Sequence, residues 1–169
     1  MGITSRGSVY AHDRPTQESD IVPLQSPPSR VSAHLLQALC GAKPVQRFSK
    51  GSILIRQDSA AMGVYVVKSG EVRVLLPTGQ SQGQHLGVAG PGSMLGLNEC
   101  MAGQTFRITV EAVEETTAVF IPQGQLLDFM ENHGDFSMQV VRVLSEELQG
   151  LYEKFRSISA HPGRPRQRA

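Results

Sequence analysis

The sequence predicts a mainly β fold with flanking helices, of the β-sandwich or jelly-roll kind. Between Val45 and Pro122, apolar residues alternate with a period of two in about eight short runs separated by glycine-containing turns. On both sides of this region the apolar spacing changes to that of a helix. A chain of 169 residues with 40% hydrophobic content is long enough for one domain with a buried core.

Both ends of the chain are polar, and we expect them to be disordered tails around one domain spanning residues 30–160. Residues 1–29 contain four prolines and no apolar periodicity, and residues 161–169 contain three arginines. Residues 30–160 hold 11 basic against 12 acidic side chains. A nucleic-acid-binding domain usually has a basic face, so the balance argues against that class for the folded region.

The expected domain begins with a short amphipathic helix. Its apolar residues are Val31, Leu35, Leu36 and Leu39, and Gly41 follows as a helix stop. Ser29 or Ser32 is expected to cap it.

The alternating pattern locates seven strands, out of about eight expected in all. They are predicted at 45–48, 52–56, 63–68, 71–76, 85–89, 107–113 and 117–121, with a loop at 77–84. Ser69-Gly70 is a two-residue hairpin signal, so we expect strand 71–76 to pair with strand 63–68.

The stretch from Pro91 to Val110 predicts strand, tight turn, short helix and strand. Pro91-Gly92 marks the turn, Gly96 allows a close backbone approach, and residues 97–102 are long enough for one helical turn. Free N–H groups at the start of such a helix are suited to an anion.

Two helices end the expected domain, at 123–133 and from Asp135, as its cap, to about 159. In the second helix Leu148, Leu151, Phe155 and Ile158 follow a 3-4-3 spacing typical of a coiled-coil seam. With Leu144 they form a candidate homodimer surface; packing on the chain's own sheet is the alternative. Glu146-Glu147 is interpreted as a solvated helix face.

The remaining sequence patterns indicate no membrane span, reactive cysteine, catalytic motif or metal site. No 18-residue apolar run predicts a membrane span, and no apolar segment follows Met1, so we expect a cytoplasmic protein. Cys40 and Cys100 are expected to be small core residues. We find no zinc-ligand spacing, serine-nucleophile motif or phosphate loop, and therefore predict neither an enzyme nor a metal site.

Four segments carry a family resemblance. They read FSKGSIL at 48–54, YVVKSGEVRV at 65–74, PGSMLGL at 91–97 and TVEA at 109–112. In this order and spacing, the sequence resembles the cyclic-nucleotide-binding domain of the catabolite-activator and fumarate–nitrate-reductase regulator superfamily. The resemblance implies an eight-stranded β-roll with an N-terminal helix, a short helix in the phosphate-cassette-like turn and two C-terminal helices.

The same resemblance implies a degenerate ligand site. In cyclic-nucleotide binders a turn glutamate holds the ribose 2′-hydroxyl and an arginine pairs with the cyclic phosphate. Here these positions fall on Met94 and Phe106. Arg107 is one residue away, and a one-residue shift on a strand points a side chain to the other face. Burying a phosphate without a charged partner is too costly, so cAMP or cGMP is not expected unless a shifted turn brings Arg107 inward.

The candidate pocket is therefore expected to be apolar, either collapsed as a filled core or holding a small effector that is not a nucleotide. Its candidate residues are Gly92, Ser93, Met94, Leu95, Gly96, Phe106, Arg107, Ile108 and Thr109.

Transcription factors of this family continue into a helix-turn-helix, whereas the sequence here continues with nine residues that include Pro162 and Pro165. We thus predict a stand-alone sensor or regulatory module that signals through its C-terminal helix, without sequence-specific DNA binding of its own. The alternatives are a ligand-free scaffold, a truncated transcriptional regulator and an atypical cyclic-nucleotide binder using Arg107. A protein partner is also expected, and the basic tail is expected to solubilise or to make weak contacts.

Overall fold

A computed structural model of the chain describes residues 31–76 and 84–159. The predicted tails, and most of the predicted loop at 77–84, lie outside these residues. The described elements are α1 (Ala33–Cys40), β1 (Val45–Phe48), β2 (Ile53–Ile55), β3 (Gly63–Ser69), β4 (Val72–Leu76), β5 (Gln84–Ala89), β6 (Met94–Leu95), α2 (Leu97–Ala102), β7 (Thr109–Ala112), β8 (Thr116–Pro122), α3 (Gln123–Asn132) and α4 (Gly134–Ser159).

The strands form two four-stranded antiparallel sheets, ordered β1-β8-β3-β6 and β2-β7-β4-β5. Their buried faces are rich in β-branched residues, which fit a pleated surface. Side chains of both sheets join one apolar core, in which Val64, Val72, Val110 and Ile121 are fully buried. The predicted eight-stranded, mainly β fold with flanking helices is confirmed.

One predicted strand pairing is wrong. Strand β4 does not fold back on β3; it pairs with β5 and β7 in the other sheet. The chain crosses between the sheets at Gly70, whose φ is +83°. A Cβ at Gly70 would lie 2.5 Å from both Glu115 O and Thr116 Oγ1, so the glycine is needed for a crossing and not for a hairpin.

The helix starts also differ from the predicted caps. Ser32 occupies the N-cap of α1, but its hydroxyl makes no capping bond, and its backbone N–H donates to Gln139 Oε1 at 2.7 Å. Helix α4 begins at Gly134, so Asp135 lies in its first turn, where its Oδ1 accepts a hydrogen bond from Phe136 N at 2.9 Å. A carboxylate in the first turn still interacts favourably with the helix dipole.

Helix α4 packs on the core with one side of its first half. Phe136, Val140 and Val143 are buried there, and the ring of Phe136 meets the ring of Phe129 from α3 edge to face at 5.0 Å. This packing anchors the first half of α4 against α3 and the core. Within the described parts of the chain, no helix has the length and apolarity needed to cross a membrane.

Candidate functional site

The turn between β5 and α2, residues 90–96, is held tightly to β3; we call it the glycine turn. Gly92, at φ +86°, donates its N–H to Val67 O at 2.9 Å, and Val67 N donates to Ser93 O at 3.0 Å. The turn therefore continues the sheet as the short strand β6 beside β3. A turn anchored by two backbone hydrogen bonds presents its side chains in a fixed geometry.

Gly96 ends the glycine turn in direct contact with Phe106. Gly96 is the N-cap of α2 in the left-handed region, at φ +80°. A Cβ on it would lie only 2.4 Å from Phe106 Cε1, so no larger residue fits without displacing the ring. Phe106 is 6% exposed and belongs to the hydrophobic core.

Arg107 and Thr109 point elsewhere. Arg107 is exposed, and its Nη2 donates to Gln104 Oε1 at 3.2 Å on the surface. Thr109 Oγ1 accepts a hydrogen bond from Gln57 N at 3.3 Å. Neither side chain lines the cavity that lies between the glycine turn and α4.

A cavity of about 240 Å³ lies between the glycine turn, strands β4 and β5, and helix α4. Of the nine candidate residues, Ser93, Met94, Leu95, Gly96 and Ile108 line it, and Gly92, Phe106, Arg107 and Thr109 do not. Most of its surface is apolar, because Val74, Leu86, Leu97 and Ile108 contribute to its walls.

The sequence prediction missed the other walls of the cavity. These are Val74 of β4, residues 86–89 of β5, residues 97–99 of α2 and Glu147 of α4. Asn98 and Glu99 follow the glycine turn after Leu97, so the sequence alone could have predicted that they lie near it. Glu147 lies 49 residues after Asn98, and no local pattern connects the two.

Three polar side chains of the cavity have unusual surroundings. Ser93 is 2% exposed, and its Oγ has no hydrogen-bond partner among the described residues. Asn98 Nδ2 of α2 donates a hydrogen bond to Glu147 Oε2 of α4. Glu146 and Glu147 are both exposed, as predicted for a solvated helix face, and Glu147 in addition lines the cavity and accepts the hydrogen bond from Asn98.

The side of the cavity formed by α2 and α4 carries two acidic residues, Glu99 and Glu147. Burial raises the pKa of Glu147 above its usual value; the Asn98 hydrogen bond opposes this rise, and the nearby Glu99 carboxylate adds to it. The residues lining the cavity in the described structure include no Lys, Arg or His. Two ion pairs are found in 31–76 and 84–159, Arg47–Glu115 and Arg73–Glu111, and none of their four residues lines the cavity.

No metal chemistry is supported by the described residues, since they contain no group of three or more His, Cys, Asp or Glu side chains placed to hold an ion. Both cysteines are buried, and burial raises the pKa of each thiol, which disfavours the reactive thiolate.

Comparison with known proteins places this arrangement in a family. Residues 45–133, more than half of the chain, match the model of the cyclic nucleotide-binding domain. The chain belongs to this family. The predicted resemblance is thereby confirmed, and the cavity of this cyclic nucleotide-binding domain is framed by the strands of the matched region together with α4.

Its relatives are regulators and larger proteins that contain a similar segment. Patatin-like phospholipase domain-containing protein 6 of Pongo abelii is 27% identical over 100 residues, which are 59% of this chain and 7% of that protein. Transcriptional activator protein anr of Pseudomonas aeruginosa is 28% identical over 100 residues, 59% of this chain and 41% of that protein. The chain thus matches less than half the length of either relative.

Among solved structures, the Thermus thermophilus catabolite activator protein superposes with a TM-score of 0.69 at 17% identity. The superposition covers 76% of this chain and 61% of that one. At this identity the likeness establishes the fold alone.

Proposed function

We propose that this cyclic nucleotide-binding domain is a sensor or regulatory module whose cavity takes a small effector other than a cyclic nucleotide. The observation that carries the proposal is that Phe106 points into the core whereas Arg107 points to the surface. Phe106 is buried against Gly96, at the position where the family resemblance calls for the phosphate-binding arginine, and Arg107 is exposed beside Gln104.

A cyclic phosphate has no suitable partner in such a cavity. Recognition of a buried phosphate normally uses a bidentate arginine or a comparable cation. The described walls supply Met94 and two carboxylates instead. Placing an anion beside Glu99 and Glu147 adds like-charge repulsion to the cost of removing the phosphate from water.

Signalling through α4 is supported by Glu147. This residue belongs to α4, lines the cavity and accepts the hydrogen bond from Asn98 of α2. If α4 can occupy two positions, an effector that breaks or strengthens this hydrogen bond changes the free-energy difference between them. That differential interaction is what a ligand needs in order to shift a conformational equilibrium.

We further propose that α4 pairs with a second copy of the chain. Its exposed apolar residues Met138, Val141, Leu148 and Tyr152 recur at spacings of 3, 7 and 4, which is the pattern of a coiled-coil seam. Leu144 of the predicted seam is half-buried and packs on the chain's own core. The side chains of Leu151, Phe155 and Ile158 lie outside the described residues.

The test measures the melting temperature of the purified protein with cAMP and cGMP at millimolar concentration, in the wild type and in Arg107→Ala. We expect no shift with either nucleotide. A ligand present at 100 times its dissociation constant stabilises the folded state by about 2.7 kcal/mol, which is readily measured. A shift with cAMP that disappears in Arg107→Ala would overturn the proposal in favour of an inward-turning Arg107.

Access to the cavity is tested with an uncharged aromatic probe, 3-methylindole, by NMR of the methyl groups of Leu86 and Ile108. We expect saturable shifts of both methyl groups, because the apolar walls of the cavity favour burial of an apolar ring. If neither methyl group responds up to the solubility limit of the probe, the ligand-free scaffold is the better description.

A further inference from the structure

We propose that the effector is a cation: an apolar body of one or two rings that carries a protonated amine, with the amine facing Glu99 and Glu147. This inference rests on the proposed function and names the chemical class of its ligand. It follows from the charge and shape of the cavity and from the Ser93 hydroxyl, which has no partner among the described residues.

The charge comes from two carboxylates for which the described residues provide no cationic partner. Glu99 and Glu147 both line the cavity, and neither takes part in an ion pair within the described residues. Glu147 accepts one hydrogen bond, from Asn98, which is fewer than a carboxylate's two oxygens can accept. Partial burial disfavours its ionised form and raises its pKa, so a neighbouring ammonium group would relieve an existing cost.

The sequence between β4 and β5 adds no charge to this balance. Residues 77–83, which follow β4 and precede β5 in the sequence, consist of Pro, Thr, Gly, Gln and Ser and contain no charged side chain. A ligand anion would therefore face carboxylates without help from this segment, whereas a ligand cation gains from them.

The shape sets the size of the apolar body. A cavity of about 150 Å³ lined by apolar side chains accommodates benzene. The cavity here measures about 240 Å³, which leaves room for a second ring or a short arm beyond one ring. Val74, Leu86 and Ile108 provide the apolar surface for that body.

Ser93 gives the second, independent sign of a ligand. Its side chain is 2% exposed, lines the cavity and leaves Oγ without a partner among the described residues. An unsatisfied buried hydroxyl costs stability, so it usually has a reason in native structures. A polar atom of the effector that forms a hydrogen bond with Ser93 Oγ would provide that reason.

The test compares three probes with one ring system and different charge: tryptamine, 3-methylindole and indole-3-acetate. Binding to the full chain is measured at pH 7.5 from the methyl shifts of Leu86 and Ile108. We expect tryptamine to bind at least tenfold more tightly than indole-3-acetate and more tightly than 3-methylindole. Added salt is expected to reduce the advantage of tryptamine, because part of the wall is open to solvent.

Variants assign the effect to the carboxylates. Glu147→Gln keeps an acceptor for Asn98 and removes the charge, and Glu99→Gln removes the second charge. Each is expected to weaken tryptamine severalfold and to leave 3-methylindole unchanged. Glu146→Gln is the matched control, because Glu146 is exposed and does not line the cavity. A wild-type methyl spectrum for each variant verifies that it is folded.

The outcomes separate this inference from the proposed function. Equal binding of tryptamine and indole-3-acetate, or unchanged tryptamine affinity in both Gln variants, overturns the cationic effector. If 3-methylindole still binds in that case, the proposed effector-binding role stands. Failure of all three probes to shift either methyl group overturns both.

Discussion

The ring of Phe106 lies against the backbone of Gly96 so closely that a Cβ on Gly96 would stand 2.4 Å from Phe106 Cε1. This contact joins the end of the glycine turn to the segment that precedes β7, and it holds the Phe106 ring in the core. Phe106 stands where the family resemblance calls for the phosphate-binding arginine. Measuring how much this contact stabilises the fold therefore tests the geometry of the site.

Gly96→Ala should destabilise the protein by about 2–4 kcal/mol in urea unfolding. A left-handed backbone costs alanine about 1–2 kcal/mol, and displacing a packed ring adds a similar amount. Gly92→Ala is the matched control, because Gly92 also has a positive φ, +86°, but an added Cβ would meet nothing within 4 Å. Gly92→Ala should lose only the unfolding free energy that the left-handed backbone costs, about 1–2 kcal/mol. Equal losses in the two variants would contradict the contact between Gly96 and Phe106.

Thr116→Val should cost about 1–2 kcal/mol, because it removes the hydroxyl that holds the crossing between the sheets. Thr116 is fully buried, and its Oγ1 lies within hydrogen-bonding distance of Glu71 O at 3.1 Å and Glu114 O at 3.0 Å. The substitution leaves these carbonyl groups without that donor. Chemical denaturation measures the loss.

Thr117→Val is the control for this prediction. Thr117 shares a hydrogen bond with Ser69 Oγ at an exposed position, 2.6 Å away, where water replaces the lost partner. Its expected loss is below about 0.5 kcal/mol. A Thr117 effect as large as that of Thr116 would mean that the crossing is not held by the buried hydroxyl.

The elements of this fold were predictable because each has a local pattern. The period of two located most strands to within one or two residues, and the apolar spacing with Gly41 placed α1. Helix α2 was predicted with its observed bounds, Leu97–Ala102, since glycines stand on both sides of it.

Pairing between elements was less predictable, because it depends on distant residues. A turn signal at Ser69-Gly70 does not reveal that Glu115 and Thr116 occupy the space beside Gly70. The cavity wall shows the same limit: the glycine turn was found from its own sequence, whereas Glu147 reaches it only through the packing of α4. Arg107 does point outward, as strand alternation predicted, but residues 106 and 107 precede β7, so the strand itself is not the reason.

Stability should depend on pH through Glu147 in a defined direction. Its folded-state pKa is raised above the ordinary value of 4.5, so the folded state holds this proton more tightly than the unfolded state. The corresponding stabilisation is complete below pH 4.5 and is lost as the pH rises through the folded-state pKa. Glu147→Gln should remove this component, and unfolding free energies measured from pH 4 to pH 8 should fall less steeply in the variant.

The exposed neighbour Glu146 again provides the control. Glu146→Gln removes the same formal charge from α4 but not from the cavity wall, and it should keep the wild-type slope. Glu99 is the other carboxylate that faces Glu147, and its charge contributes to the raised pKa. A Glu147→Gln slope equal to that of the wild type would mean that α4 does not desolvate this carboxylate in solution.

Val141→Lys and Leu148→Lys should each raise the dissociation constant of the proposed α4 dimer by at least tenfold, measured by analytical ultracentrifugation. Val141 is 52% exposed and Leu148 is 52% exposed, so neither substitution removes much packing from the monomer. A lysine at the centre of an apolar seam must lose hydration on pairing, which disfavours the dimer. Glu146→Lys changes the charge of the same helix outside this stripe and should leave the dissociation constant nearly unchanged. A monomeric wild type at high protein concentration, or equal weakening by all three variants, would contradict pairing through this face of α4.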